Sequence, residues 1–399
     1  MATPREQAQL LADGCEHVET FAELQERLTR GVPLGVKLGM DPTSPDLHIG
    51  HAVVLHKMQQ FVEAGHKVTL LIGDFTARIG DPSGRNSLRP PLTNEAIEAN
   101  MRTYASQAGK VLDMERVTVR YNSEWLGKLT LDDLIRLLAQ TTVARMLDRN
   151  DFAQRYADGT PISLHEFLYP VAQAYDSVAL RCDVELGGSD QLFNLLLGRP
   201  YQEHAGQATQ ICMTVPLLEG LDGKIKMSKT TGNHIGLTEN PNDQFGKMMR
   251  IPDELIGRYA RLAVFRSKEA CDELARGLAD GRAVPMEEKK TIAQELVTRY
   301  HGAEAARAAR EHFERTVQRR ELPEEMPDVR TAQARKLVDV IVVAGFAQSK
   351  REAERLIVGG GVKLDGSVVT DAAAAWNPLR DGQRIVLSVG ARKHARLVP

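Results

Sequence analysis

The chain has 399 residues, 42% hydrophobic and 26% charged, with a formal net charge of −2. That length allows a large core and two or three domains, and the lack of any run of about 18 uninterrupted apolar residues leaves no expected membrane span. The N-terminus, MATPREQAQLLADGCEH, is polar and mixed in charge and lacks the basic-then-apolar layout of a signal peptide. Cys15, Cys182, Cys212 and Cys271 lie far apart with no C-x-x-C pair, which reads as the reduced thiols of a cytoplasmic protein.

In chain order, PLGVKLGM (33–40) is a short apolar run bounded by glycine and Asp-Pro, and predicts a strand. From Ile49 to Ala64 the pattern turns helical, with Val54, Met58, Phe61 and Val62 at i, i+4, i+7 and i+8, and Gly65 as the stop. KVTLLIGDF (67–75) predicts a second buried strand, so the three pieces make a βαβ unit and open a parallel sheet. RVTVRY (116–121), DVELGG (183–188) and TQICMTVPLL (209–218) predict further strands. The segment 122–182 is mostly helical and reads as an insertion between sheet strands. From about Asp243 to Arg320 the chain is helical and charged, and ELPEEMPDVR (321–330), with two prolines and an acidic cluster, reads as a linker. After it a compact unit holds a helix, a Ser-initiated second helix, a glycine-rich turn and a hairpin. This gives domains over 1–225, 226–330 and 331–399. From Arg335 onward there are 11 Lys+Arg against 6 Asp+Glu, so a basic tail follows an acidic body. Such a tail suits a polyanion, or simply a solvated face. Lys350, Arg351 and Arg355 crowd one side of its second helix.

Two short motifs carry chemistry. DLHIGH (46–51) places His48, Gly50 and His51 at a strand-to-helix crossing, where free N–H groups and the helix dipole favour phosphate. A zinc pair is the competing reading, but His56 is the only further ligand nearby and no carboxylate or cysteine pattern completes a set. Far downstream, KIKMSKT (224–230) brackets Met227 and Ser228 with Lys226 and Lys229; alone it is only a basic loop. Together with Asp41-Pro42-Thr43 before DLHIGH, the pair resembles the HIGH and KMSKS signatures of class I aminoacyl-tRNA synthetases, with Thr230 in place of the final serine. GDFTARIGDPSGR (73–85), YPVAQAYD (169–176) and LGGSDQLFN (186–194) resemble the matching segments of bacterial tyrosyl-tRNA synthetases of the second bacterial subgroup. The tail resembles the small RNA-binding module first known in a ribosomal protein. The resemblance spans nearly the whole chain, with the motifs in the family's order.

It implies an α/β fold: a Rossmann-like parallel-sheet catalytic domain with a helical insertion, then a helical domain and a small α+β RNA-binding domain. It also implies a tyrosine–tRNA ligase that uses ATP with Mg²⁺, acts on tRNA and forms a homodimer through the inserted helices, with no membrane partner. By the same resemblance His48 and Thr43 contact phosphates, Gly50 and His51 lie along adenosine, and Lys226 and Lys229 close over pyrophosphate, with help from Arg85. Asp190 and the adjoining Gly188 hold the ATP ribose side, and Asp41, Met227 and Ser228 belong to the same nucleotide set. Tyr169, Gln173 and Asp81 hold the α-ammonium, Asp176 accepts from the phenol, and Gln191 and Asp41 complete the amino-acid pocket. The i, i+4, i+7 spacing of Tyr169, Gln173 and Asp176 puts them on one helix face, which is otherwise only a polar face in water. Lys37 departs from the family, where many relatives carry a tyrosine; it pairs with an acid such as Asp176 or points elsewhere. The rival readings are a tryptophanyl-tRNA synthetase, a non-catalytic RNA-binding relative, and a nicotinamide-dependent dehydrogenase. The last wants a G-x-G-x-x-G turn that does not occur here.

Overall fold

A computed structural model describes residues 3–82, 93–318, 326–332, 334–380, 382–390 and 393–399. The chain forms two compact units, Met1–Tyr300 and His301–Pro399.

The first unit is built on a six-stranded sheet of β1 (His17–Glu19), β2 (Gly35–Met40), β3 (Lys67–Ile72), β4 (Val117–Tyr121), β5 (Val184–Gly188) and β6 (Ile211–Val215), in the order β1-β6-β5-β2-β3-β4. All neighbours are parallel except β1, which runs antiparallel to β6 along the edge. The expected βαβ unit is present: the helix Ile49–Glu63 links β2 to β3, buries Met58, Phe61 and Val62, and gives way to Gly65 at φ +84°. Val54, expected on the same buried face, lines the cleft described below. The strands predicted from the sequence are all found, each trimmed by one to five residues. β1 was not foreseen, because three residues held by edge pairing leave no period to read.

Strand order reverses between β2 and β5. From β2 the chain moves outward through β3 and β4; from β5 it moves the other way to β6. Neighbouring crossovers therefore leave on opposite sides, and a crevice opens at the carboxyl ends of β2 and β5. The inserted segment between β4 and β5 is helical, as expected, and ends in the helix Leu168–Leu180, which packs against the helix Leu192–His204.

In the second unit, β7 (Asp328–Arg330), β8 (Val362–Leu364), β9 (Ser367–Val369), β10 (Ile385–Val389) and β11 (Lys393–Val398) form a sheet of order β7-β11-β10-β8-β9. The helices Leu337–Val343 and Lys350–Val358 cover an apolar core that includes Val340, Ile341, Ile357, Leu387 and Leu397. Ser349 caps the second helix by accepting from the Glu352 N–H at 3.2 Å. Asp365 and Gly366, both at positive φ, make the tight β8–β9 turn. Asp328–Arg330 was read as linker; it is instead a strand, parallel to β11, so the tail sheet begins before residue 331. A three-residue strand with a preceding proline has too little pattern to announce itself.

Candidate active site

The crevice at the β2/β5 reversal is a cleft of about 690 Å³. Its wall gathers Asp41, Thr43, His48, Gly50, His51, Asp81, Tyr169, Gln173, Asp176, Gly188, Asp190, Gln191, Lys226, Met227, Ser228 and Lys229, residues drawn from five separate stretches of sequence. Of the remaining expected site residues, Arg85 lies outside the described residues, and Lys37 lies beneath the wall, 1% exposed.

One end of the cleft is built from imidazoles and ammoniums. The helix Ile49–Glu63 begins at His48, whose backbone N–H donates to Nδ1 of His51 at 3.2 Å. This places the His51 proton on Nε2, the tautomer that keeps one ring N–H as a donor. The two rings lie 3.8 Å apart. Burial, then the Lys226 and Lys229 charges, push the His51 pKa down to about 4; burial, then His51 and His234, push His48 far lower, so both imidazoles are neutral. Nδ1 of His48 is buried and has no hydrogen-bond partner among the described residues. Gly50 serves the histidine directly: a Cβ there would stand 3.0 Å from the His48 ring. His56, the third histidine weighed for zinc, is stacked on Phe265 with ring centroids 3.8 Å apart.

The loop lysines face the same end, and both are paired. Lys226 Nζ lies 2.7 Å from Asp190 Oδ2, and Lys229 is paired with Asp46. Asn233 holds the loop: its Oδ1 accepts from the Ser228 N–H at 2.8 Å, and its Nδ2 donates to Asp222 at 2.9 Å. Gly188 gives Asp190 its place, since a Cβ there would come within 2.7 Å of Asp190 Oδ1.

The other end is acidic and more deeply buried. Asp41 accepts from Thr76 Oγ1 at 2.7 Å, and Asn122 Nδ2 donates both to Thr76 at 3.0 Å and to Asp176 Oδ2 at 3.3 Å. The second Asp176 oxygen takes the indole N–H of Trp125 at 2.7 Å. Gly73 makes room for this chain of contacts, because a Cβ would fall 1.9 Å from Asp41 Oδ1. Burial pushes Asp41 and Asp176 up to about 7 each; Thr76 draws Asp41 back down, and the Lys37 charge does so for Asp176. Beside them runs a closed circuit of polar side chains. Arg149 donates to Asp81 at 3.2 Å and to Asn194 at 3.1 Å, Gln191 donates to Asp81 at 2.7 Å, and Asn194 donates to Gln191 at 2.9 Å.

Lys37 pairs with Glu185, not Asp176: Nζ lies 3.2 Å from Glu185 Oε1 and donates to the Gln173 carbonyl at 3.2 Å. Sequence reasoning missed Glu185, and with it Arg149, Asn194, Asn122, Trp125 and Thr76. Arg149, Asn122, Trp125 and Thr76 reach the site residues across 35 to 68 positions of chain, whereas Asn194 also meets Gln191 three positions away and Glu185 meets Ser177 and Gln173 at 8 and 12. Thr76 and Asn194 lie inside the quoted segments 73–85 and 186–194 but were given no role there; Arg149, Asn122 and Trp125 lie outside them. The only sequence signal was Glu185 itself, an acid inside a run otherwise read as a buried strand.

The family model described as "tRNA synthetases class I (W and Y)" matches residues 29–318, and the S4 domain model matches 335–374. A tyrosine–tRNA ligase of Thermotoga maritima is 50% identical over 395 residues, covering 99% of this chain and 98% of that protein. One from Aquifex aeolicus is 46% identical, covering 99% of each. Among solved structures, a C-terminally truncated mitochondrial tyrosyl-tRNA synthetase of Aspergillus nidulans superposes with a TM-score of 0.63 at 25% identity, over 78% of this chain and 93% of that one. The family model alone covers well over half of the chain, and it falls on the unit that carries both histidines and both loop lysines. The chain therefore belongs to the class I tRNA synthetases of the W and Y group, and carries an S4 domain behind the synthetase part.

Proposed function

We infer that the chain is a tyrosine–tRNA ligase: it activates tyrosine with ATP to tyrosyl-adenylate and pyrophosphate, then passes the tyrosyl group to the 3′ end of its tRNA. The observation that carries the reading is that a neutral-imidazole and lysine end and a three-carboxylate end share one cleft. An amino acid and a nucleoside triphosphate are thereby aligned head to tail. Relatives named tyrosine–tRNA ligase, 46–50% identical over nearly the full length, support tyrosine as the amino acid.

The first step needs no general base, because the tyrosine carboxylate is already ionised at neutral pH. It needs alignment and stabilisation of charge building on the phosphates. His48 and His51 present donors without a permanent charge, with Thr43 beside them; Lys226 and Lys229 bring charge on a loop that must leave Asp190 and Asp46 to do so. Asp190 then takes the ribose. Asp41, Asp81, Tyr169 and Gln173 receive the α-ammonium, with Gln191 held in place through Asp81, and Asp176 accepts from the phenol. Magnesium would arrive with ATP rather than be held by a protein cage, and would supply neutralising charge to the phosphates. The groups around the phosphate end fit a nucleotide-borne ion: they are imidazoles and ammoniums, and the two carboxylates there are each taken by a lysine.

The S4-type tail supports tRNA binding by the second unit, where Arg351 and Arg355 are exposed on the helix Lys350–Val358. On that helix Lys350 is engaged with Asp339 at 2.7 Å, so the two arginines are the better phosphate contacts. A homodimer is supported by the inserted helices, which leave Leu131, Ile135, Val143 and Leu164 exposed, from 58% to 83%. Light scattering that returns a monomer mass would sink it. All four cysteines are free and, among the described residues, no helix is long and apolar enough to cross a membrane. With a role in translation, this supports a cytoplasmic location.

The overall reading is tested by amino-acid-dependent pyrophosphate exchange with all twenty amino acids: tyrosine alone is expected to sustain it, and exchange driven by tryptophan would replace tyrosine in the assignment. Lys229→Ala is expected to slow adenylate formation by about 10²-fold or more in single turnovers while tyrosine affinity stays within about twofold. The reverse pattern would remove Lys229 from the transition state.

The acidic end sets a pH dependence. Asp41 and Asp176 have pKa values raised to about 7, so they hold protons below neutrality and release them above it. Ammonium and phenol both bind the ionised forms. Tyrosine affinity is therefore expected to fall as pH drops through about 7, by up to about tenfold per pH unit for each proton displaced. Asp176→Asn should make that fall shallower and narrow the ratio of kcat/KM between tyrosine and phenylalanine; an unchanged ratio assigns phenol recognition elsewhere.

Removing residues 326–399, which takes β7 with the rest of the tail sheet, is expected to leave pyrophosphate exchange nearly intact. Tyrosyl-tRNA yield should fall, and the salt dependence of tRNA affinity should flatten. If charging survives, the tail is not the tRNA grip; if exchange collapses too, the two units are not independent.

A further inference from the structure

Beneath the acidic end of the cleft lies a buried pair of charges that is not part of its wall. Lys37 on β2 and Glu185 on β5 are register partners across the reversal of strand order, each 1% exposed. Glu185 is fully subscribed. Oε1 meets Lys37 Nζ at 3.2 Å and accepts from Gln173 Nε2 at 3.0 Å, while Oε2 accepts from Ser177 Oγ at 3.1 Å and from Gln210 Nε2. Burial lowers the Lys37 pKa and Glu185 raises it; the carboxylate prevails, so the ammonium stays charged.

An ionised carboxylate only accepts hydrogen bonds. The side-chain amide of Gln173 must therefore turn its nitrogen towards Glu185 and its oxygen away. Gln173 is on the cleft wall, and among the described residues no donor meets that oxygen. Lys37 fixes the same residue a second time, through its backbone carbonyl. We propose that Glu185, paired with Lys37, is a positioning residue for tyrosine: it sets the Gln173 amide so that its oxygen faces the α-ammonium of the substrate. This rests on the reading above, in which Gln173 receives that ammonium. The physical need is plain, because an ammonium is a pure donor. A reversed amide would aim N–H at N–H and turn an attraction into a repulsion.

The test uses the full chain and two ligands, tyrosine and 3-(4-hydroxyphenyl)propionate, which keeps the phenol and carboxylate and lacks the ammonium. The double variant Lys37→Met/Glu185→Leu removes both charges at once, so neither is left buried and unpaired. It is expected to weaken tyrosine binding by about tenfold or more, the worth of one hydrogen bond to a charged group, and to change affinity for the analogue by less than about twofold. Placed on Gln173→Ala, it should cost tyrosine nothing further. Should that double variant fail to fold, Glu185→Gln, which keeps the shape and lets the Gln173 amide turn either way, is read with the same two ligands. Equal losses for both ligands, or a full additional loss on Gln173→Ala, would mean that the pair is only part of the core. If Gln173→Ala shifts the ratio of the two affinities and the pair variants do not, the role of Glu185 alone falls. If Gln173→Ala leaves the ratio unchanged, the assignment of Gln173 to the ammonium falls first and takes this one with it.

Discussion

The parallel pairing of β2 with β5 is the constraint on which the rest depends. These strands are separated by some 150 positions of chain, and their union turns the strand order around. Once they lie side by side, Asp41 at the end of one and Gly187-Gly188 at the end of the other face a common crevice. The helix after β2 then delivers His48 and His51 to its rim, and the helix before β5 delivers Tyr169, Gln173 and Asp176 to its floor. A buried ion pair sits across this seam. By itself such a pair is weak evidence of stability, since two charges lose their water. Its contacts with Ser177 and Gln173 tie the seam to the helix Leu168–Leu180, and its contact with Gln210 ties it to the start of β6.

Charge is sorted along the cleft. Acids gather where burial is deepest, with their pKa values lifted towards neutrality by desolvation. Cations gather at the more exposed end, on a loop where Lys226 is 42% exposed in its side chain. The arrangement separates two tasks: a buried, polar, extensively hydrogen-bonded socket and a more exposed set of positive groups. Glycines police the boundary at Gly50, Gly73 and Gly188, each where a neighbouring polar side chain occupies the space of a Cβ.

Much of this was legible in the sequence because it is local. The βαβ unit follows from two short apolar runs around a helix of period 3.6, and the histidine and lysine motifs become recognisable together, through their resemblance to the class I signatures. The shared helix face of Tyr169, Gln173 and Asp176 followed from helical intervals, while its assignment to an amino acid came from the resemblance. What stayed hidden was the supporting shell. Arg149, Asn194, Asn122 and Trp125 are ordinary polar residues until folding brings them within 3.3 Å of the acids or of each other. Lys37 was noticed, but its partner was not: choosing Glu185 over Asp176 requires the strand register, which no single-chain pattern encodes. β1 and β7 were missed for a related reason. Three residues at the edge of a sheet are strands only because a neighbour supplies the hydrogen bonds.

The order of strands in the tail has a consequence for how the molecule is made. β11, the strand latest in sequence, lies inside the sheet, with β7 on one side and β10 on the other. β7 has no other partner in that sheet, so it waits through the synthesis of both tail helices and the β8–β9 hairpin. Only when residues up to Val398 have left the ribosome do β7 and β10 acquire their shared neighbour. The first unit is complete in sequence by Tyr300 and is free to fold well before that moment. Catalytic and tail units therefore mature at different times on the same nascent chain, and the tail closes in one late step set by the long loop between β7 and β11.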